Sequence, residues 1–128
     1  MTFSDIETGI DIIEVLRIRS ALDRWGARFE NRVYTEGERA YCRARGRPYL
    51  SFAGRFAAKE AAMKALGTGW NGVHWKEIEV VRPPGQRPTI HFNGRAKVRF
   101  DAMGGIGARL SISHTEEHAI AQVLLMLG

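Results

Sequence analysis

Three groups of residues in this chain combine type and spacing in ways that could do chemistry. Asp11 interrupts Gly9-Ile-Asp-Ile-Ile-Glu-Val15, an apolar, β-branched run that reads as a strand. An ionised carboxylate is costly to bury there without a partner, so Asp11 either has a task, sits at a strand end, or pairs with a neighbouring arginine. Glu60 and Lys64 stand four apart in a helical stretch and share a face; as a plain exposed ion pair they would contribute only about 0.3–0.5 kcal/mol. Ser111-Ile-Ser-His114 puts two hydroxyls on one face of a strand and an imidazole at its end, a place where a histidine is more often structural. Together, two carboxylates, a lysine and an arginine-rich half suit a metal-bound phosphate compound. Mg²⁺ keeps much of its water and is held by one or two protein carboxylates plus phosphate oxygens, and a nearby lysine neutralises charge as a phosphoryl bond breaks.

Other patterns fail on context. Gly104-Gly105-Ile-Gly107 is followed by a strand where a dinucleotide fingerprint needs a helix, and Gly67-Thr-Gly69 follows a helix, unlike a Walker loop. His74, His91 and His118 have no metal-ligand spacing with Cys42, and Ser111, Ser113 and His114 are too close along one strand to form a triad.

The elements that must position these residues follow from local signals. After the first strand, Val15, Leu16, Ile18, Leu22 and Trp25 space as a helical face, and Gly26 marks its end or a joint. Thr35-Glu-Gly-Glu38 has capping-box spacing and predicts a short helix to about Arg45, closed by Gly46. Pro48 stands where a new helix can begin, and the alanine-rich stretch from Tyr49 to Leu66 predicts the longest helix, stopped by Gly67. Glu77–Arg82 and Pro88–Phe92 read as strands, 95–103 as a helix, and Leu110–His114 with Ala119–Leu127 as a terminal hairpin. A leading strand, then helices, then a mainly antiparallel sheet is an α+β arrangement rather than a doubly wound parallel sheet.

The 128 residues fit a single domain spanning 1–128. One cysteine excludes an internal disulfide, and no apolar run is long enough to span a bilayer. Met1 is followed by neither a basic segment nor an apolar signal core, so the expectation is a cytoplasmic protein with no membrane partner. The net charge of +5 is uneven: Arg17 to Lys59 carries eleven basic residues against four acids, and arginine supplies fifteen of the nineteen positive charges. The partner should therefore be an anion.

The segments Gly9-Ile-Asp-Ile-Ile-Glu14, Gly54-Arg-Phe-Ala-Ala-Lys-Glu-Ala61, Lys64-Ala-Leu-Gly-Thr-Gly69, Trp75-Lys-Glu-Ile-Glu-Val80 and Ser111-Ile-Ser-His114 occur in an order that strongly resembles the holo-acyl-carrier-protein synthases, the small 4′-phosphopantetheinyl transferases. The resemblance runs from about Gly9 to Leu125. It implies the 4′-phosphopantetheinyl transferase fold, and transfer of the 4′-phosphopantetheine arm of coenzyme A to a serine of an apo-acyl carrier protein. The reaction releases adenosine 3′,5′-bisphosphate and, by default, serves fatty acid biosynthesis. By the same resemblance Asp11 and Glu60 hold Mg²⁺, Lys64 lies near the phosphates, and Arg55 and His114 contact the nucleotide's phosphates. Proton removal from the carrier serine could fall to Glu60, to Asp11 or to a metal-held water. Arg17, Arg24 and Arg28 match the docking surface for the acidic helix of the carrier, and a homotrimer with active sites at subunit boundaries is implied. The basic surplus then divides between that docking helix and a coenzyme cluster of Arg55, Lys59 and Lys64.

Four departures from the family pattern stand out. Glu7-Thr8-Gly9 keeps only one glycine before the aspartate, the loop from Trp70 to Trp75 is shortened, Gln86-Arg87 lengthens a turn before Pro88, and His118 replaces a common aromatic. None removes a metal ligand. Two other readings compete: a small basic nucleic-acid-binding module, supported by the arginine surplus but lacking any binding motif in context, and a scaffold that binds coenzyme A without turnover. The family resemblance makes nucleic acid a minor rival, and no nucleic-acid partner is expected.

Overall fold

The computed structural model describes residues 2–69 and 72–128, so Trp70 and Asn71, at the start of the shortened loop, lie outside the described residues, as does Met1. In chain order the elements are β1 (Asp5–Glu14), α1 (Val15–Trp25), α2 (Ala27–Val33), α3 (Glu36–Arg43), α4 (Pro48–Leu66), a 3₁₀ turn (Trp75–Glu77), β2 (Ile78–Val81), β3 (Thr89–Phe92), α5 (Gly94–Ala102), β4 (Gly105–His114) and β5 (His118–Leu127). The strands form two antiparallel sheets, one ordered β1-β5-β4 and one a β2–β3 hairpin. This is the α+β arrangement expected.

Helix α4 is the axle. Pro48 occupies its first turn, and Gly67 ends it in the left-handed conformation at φ 73°, which costs glycine nothing. Apolar or small residues lie nearly all round it, so it is buried on several sides rather than along one stripe. One side lies on the inner face of the larger sheet. There Ala61 and Ala65 leave room for β1, and Gly9 on β1 has no Cβ to collide with the carbonyl of Ala61. Gly54 likewise accepts the side chain of Ile112 from β4. Close approach of strand to helix is therefore written in small residues on both, and it brings Asp11 on β1 within reach of the helix.

Most local signals hold. Thr35 caps α3 through a complete capping box with Glu38, and Gly26 separates α1 from α2. β1 begins four residues earlier than expected, at Asp5, because β5 pairs with it along its whole length from Leu127 to His118. β4 starts at Gly105, well before Leu110, since the glycine-rich 105–107 segment also finds β5 and is accommodated by an irregularity in register. The short helix before α4 stops at Arg43, so a turn rather than Gly46 itself closes it.

Candidate active site

The register of the larger sheet sets Asp11 opposite Ala121, and Ala121 opposite Ile112, in a row whose neighbours Gly9 and Ile13 are buried against α4. Asp11 therefore faces the helix rather than a strand end. Its side chain is 12% exposed, and Oδ1 accepts a hydrogen bond from Lys64 Nζ at 3.2 Å. Lys64 Nζ also donates to the carbonyl of Ile10 at 2.9 Å, which aims the ammonium at β1. The partner of the strand carboxylate is thus a lysine of the same cluster, not an arginine.

Glu60 lies one turn before Lys64, and its half-buried carboxyl accepts no hydrogen bond from a described residue. Burial and then the charge of Asp11 push its pKa up, against the opposing pull of Lys64 and Arg17. Two neighbouring carboxylates, with Lys64 hydrogen-bonded to one and one turn from the other, form a hard-oxygen site. That is the donor set of a Mg²⁺ that completes its shell with water and phosphate oxygens, so the residues present fit the ion. Among the described residues no three His, Cys, Asp or Glu side chains converge as a closed metal cage.

A second cluster sits elsewhere on α4. Arg55 precedes Glu60 by five residues, which turns it about 140° round the helix. It points to α3, where its guanidinium stacks on Tyr41 at 4.0 Å, and it is 6% exposed. Its Nε–H has no hydrogen-bond partner, and the guanidinium makes no ion pair with a described carboxylate. Arg55, Tyr41, Arg82, Arg87 and His114 line a cavity of about 360 Å³. Three guanidiniums and an imidazole around one hollow, one of them buried with an orphan donor, make a binding basin for a multiply charged anion. Asp11, Glu60 and Lys64 do not line it.

The docking candidates lie along α1 and α2. Arg17 is near enough to Glu60 to lower its pKa. Arg24 stacks over Trp25 at 4.9 Å, and Arg28 borders a groove of about 540 Å³ between Trp25, Phe29, Phe56 and Trp75. Phe56 is one turn from Glu60 on α4, so the groove opens beside the acidic pair.

One expectation is corrected. Lys59 is not among the coenzyme-facing cations: it is completely buried, on another side of α4 from its neighbour Glu60, in an ion pair with Glu38 at 2.7 Å. Successive helical residues point about 100° apart, so the Lys-Glu dipeptide sends its two charges to different places. Tyr41 and Arg82 went unassigned in the sequence, although arginines bracketing the Pro-Pro-Gly-Gln turn were the available signal. Cys42 is buried, and burial pushes its thiol up to about 12, so it offers no thiolate near neutral pH.

Residues 7–123 match the family model described as the 4′-phosphopantetheinyl transferase superfamily. The chain is 52% identical over 119 residues to the holo-[acyl-carrier-protein] synthase of Koribacter versatilis, covering 92% of this chain and 95% of that one. Among solved structures it resembles the Bacillus anthracis holo-(acyl-carrier-protein) synthase in complex with coenzyme A (3′,5′-ADP), with TM-score 0.77, 38% identity, and 95% and 96% of the two chains covered. The Helicobacter pylori synthase in complex with coenzyme A aligns at TM-score 0.81 with 31% identity, over 92% of this chain and 98% of that one. With an acidic pair on one side of its central helix, an arginine basin on another and this degree of likeness throughout, the chain belongs to the 4′-phosphopantetheinyl transferase superfamily, as a transferase of the holo-[acyl-carrier-protein] synthase kind.

Proposed function

We propose that the chain, acting as one domain over 1–128, transfers the 4′-phosphopantetheine arm of coenzyme A to a serine of an apo-acyl carrier protein. The reaction is Mg²⁺-dependent, releases adenosine 3′,5′-bisphosphate, and supplies fatty acid biosynthesis in the cytoplasm. The observation that carries this reading is the convergence of Asp11, Glu60 and Lys64 where β1 crosses α4. Support for the coenzyme comes from the complexes of the Bacillus anthracis and Helicobacter pylori proteins.

In this scheme Asp11 and Glu60 would hold Mg²⁺, which would supply Lewis-acid stabilisation of phosphate charge. Lys64, fixed on the carbonyl of Ile10, stands beside them to balance charge on the phosphates as the bond to phosphorus breaks. Arg55 and His114, with Arg82 and Arg87, take the remaining phosphate charge in their basin. No covalent enzyme intermediate is required, which accords with the high pKa of Cys42.

Arg17, Arg24 and Arg28 receive the acidic helix of the carrier, and the Trp25–Phe56 groove takes an apolar side chain beside them. The acidic pair and the arginine basin occupy different sides of α4, so a coenzyme spanning both is bound most simply between two copies. The outer face of the larger sheet supports such an assembly. It exposes Ile6, Ile10, Ile12 and Ile120, at 43, 55, 62 and 37%, with Gln122 set between Ile10 and Ser111. An isoleucine-rich sheet face of this kind fits a homotrimer packed on β1 and β5. Among the described residues no helix is long and apolar enough to cross a membrane.

The test is chromatographic assay of adenosine 3′,5′-bisphosphate. Its appearance should require coenzyme A, apo carrier and Mg²⁺ together. Coenzyme A binding without product under varied carriers would favour a scaffold, and tight nucleic-acid binding without coenzyme affinity would favour the nucleic-acid module.

A further inference from the structure

Lys59 is fully buried one residue before a proposed metal ligand and touches none of the reacting groups. A lysine is almost never fully buried unless paired, because removing its charge from water costs several kcal/mol. Burial accordingly lowers its pKa, while the charge and hydrogen bond of Glu38 pull the other way. Nζ donates to the carbonyls of Trp75, at 3.0 Å, and Ile78. Glu38, also completely buried, accepts from the amides of Thr35 at 2.9 Å and Val80 at 2.8 Å. Thr35 in turn donates its hydroxyl to Glu79 at 2.6 Å. One ion pair thus grips β2 by both its carbonyl and its amide side, and holds it against the start of α3 and the middle of α4.

What this grip controls lies at the end of β2. Val80 is two residues from Arg82, and the chain then turns through 83–88 to enter β3, with Arg87 at the far side. Arg82 Nε donates to the carbonyl of Gln86 at 3.2 Å, which braces the turn against the end of β2. Both arginines line the anion basin. The other wall depends on the same pair. Arg55 and Lys59 are four apart on α4, while Tyr41 and Glu38 are three apart on α3, so the two rungs lie side by side across the two helices. Apolar residues can usually replace a buried ion pair with little loss of stability, whereas its directional bonds fix register.

We infer that the Lys59–Glu38 pair is a positioning device for coenzyme recognition: it sets Arg82 and Arg87, through β2, at the distance from Arg55 that the phosphates of the coenzyme require. This rests on the basin being the coenzyme site. The test compares wild type with the Glu38→Gln/Lys59→Met variant, which keeps an acceptor for Val80 and leaves no unpaired charge. With fold checked by circular dichroism, KM for coenzyme A should rise about tenfold, as for the loss of one charge-assisted hydrogen bond. The kcat and the carrier KM should stay unchanged. Arg82→Ala/Arg87→Ala should give a similar rise, and combining all four changes should add little to it, because both pairs act through one contact.

An unchanged coenzyme KM overturns the inference, as do multiplicative effects or a fall in kcat with both KM values raised. If the double variant fails to fold, Glu38→Asp, which keeps the opposite charge and shortens its reach, should raise coenzyme KM in the same direction, and no rise overturns the inference. A wild-type chain that transfers nothing defeats the proposed function instead. Calorimetric titration with adenosine 3′,5′-bisphosphate then decides the inference separately: weaker binding by the variant supports it, and equal binding overturns it.

Discussion

Burial of the Glu60 carboxyl, and after it the charge of Asp11, sets how this group responds to pH. Glu60 has a raised pKa in the folded chain, so in the metal-free protein this group holds its proton to higher pH when folded than when unfolded. The contribution of Glu60 to stability, read as the difference between wild type and Glu60→Gln, should therefore fall as pH rises from the ordinary glutamate value through the raised one. A ¹³C NMR titration of the Glu60 carboxyl should show a midpoint above the ordinary value and a lower midpoint in Asp11→Asn, which removes a raising charge. A Glu60 midpoint indifferent to Asp11 would separate the two groups. Asp11 was legible because a charge in an apolar run is anomalous by itself. Lys59 was not: nothing in its immediate sequence says that Glu38 folds opposite it, and a lysine beside a proposed metal ligand looks like part of the same site.

At the level of elements, the sequence carried the punctuation more clearly than the pairing. The Thr35 capping box, Pro48 and Gly67 bound α3 and α4 through bonds made within a few residues, so they could be read locally. The early starts of β1 and β4 depend on β5, more than a hundred residues away from β1, and no local propensity encodes that partner. Gly9 shows what such contact demands. A methyl there would fall on the carbonyl of Ala61 and the amide of Ala65, both backbone atoms that cannot step aside cheaply. Gly9→Ala should destabilise the protein by about 1–3 kcal/mol in urea denaturation, as overpacking typically does, and should lift Asp11 away from Lys64. A neutral result would mean that β1 and α4 approach less closely than described.

For the whole molecule, the basic surplus has become a map of separate surfaces, with Lys59 removed from it to the interior. Charge reversal at Arg17 and Arg24 should raise the carrier KM about tenfold at low salt, less so at high salt, and leave the coenzyme KM unchanged. A change confined to the coenzyme would misplace the docking face. Ile10→Glu on the outer sheet face should shift sedimentation toward a monomer and depress transfer, since each site would lose its neighbour's basin; an active monomer would show that one copy suffices. The most direct measurement is intact-mass analysis of an apo carrier protein incubated with coenzyme A, Mg²⁺ and either wild-type chain or the Asp11→Ala or Glu60→Ala variant. The wild type should add one phosphopantetheine mass to the carrier. Each variant, folded by circular dichroism, should do so at least about 100-fold more slowly, as expected when groups that stabilise transition-state charge are lost. Full-rate transfer by either variant, or no mass gain with the wild type, would contradict the account.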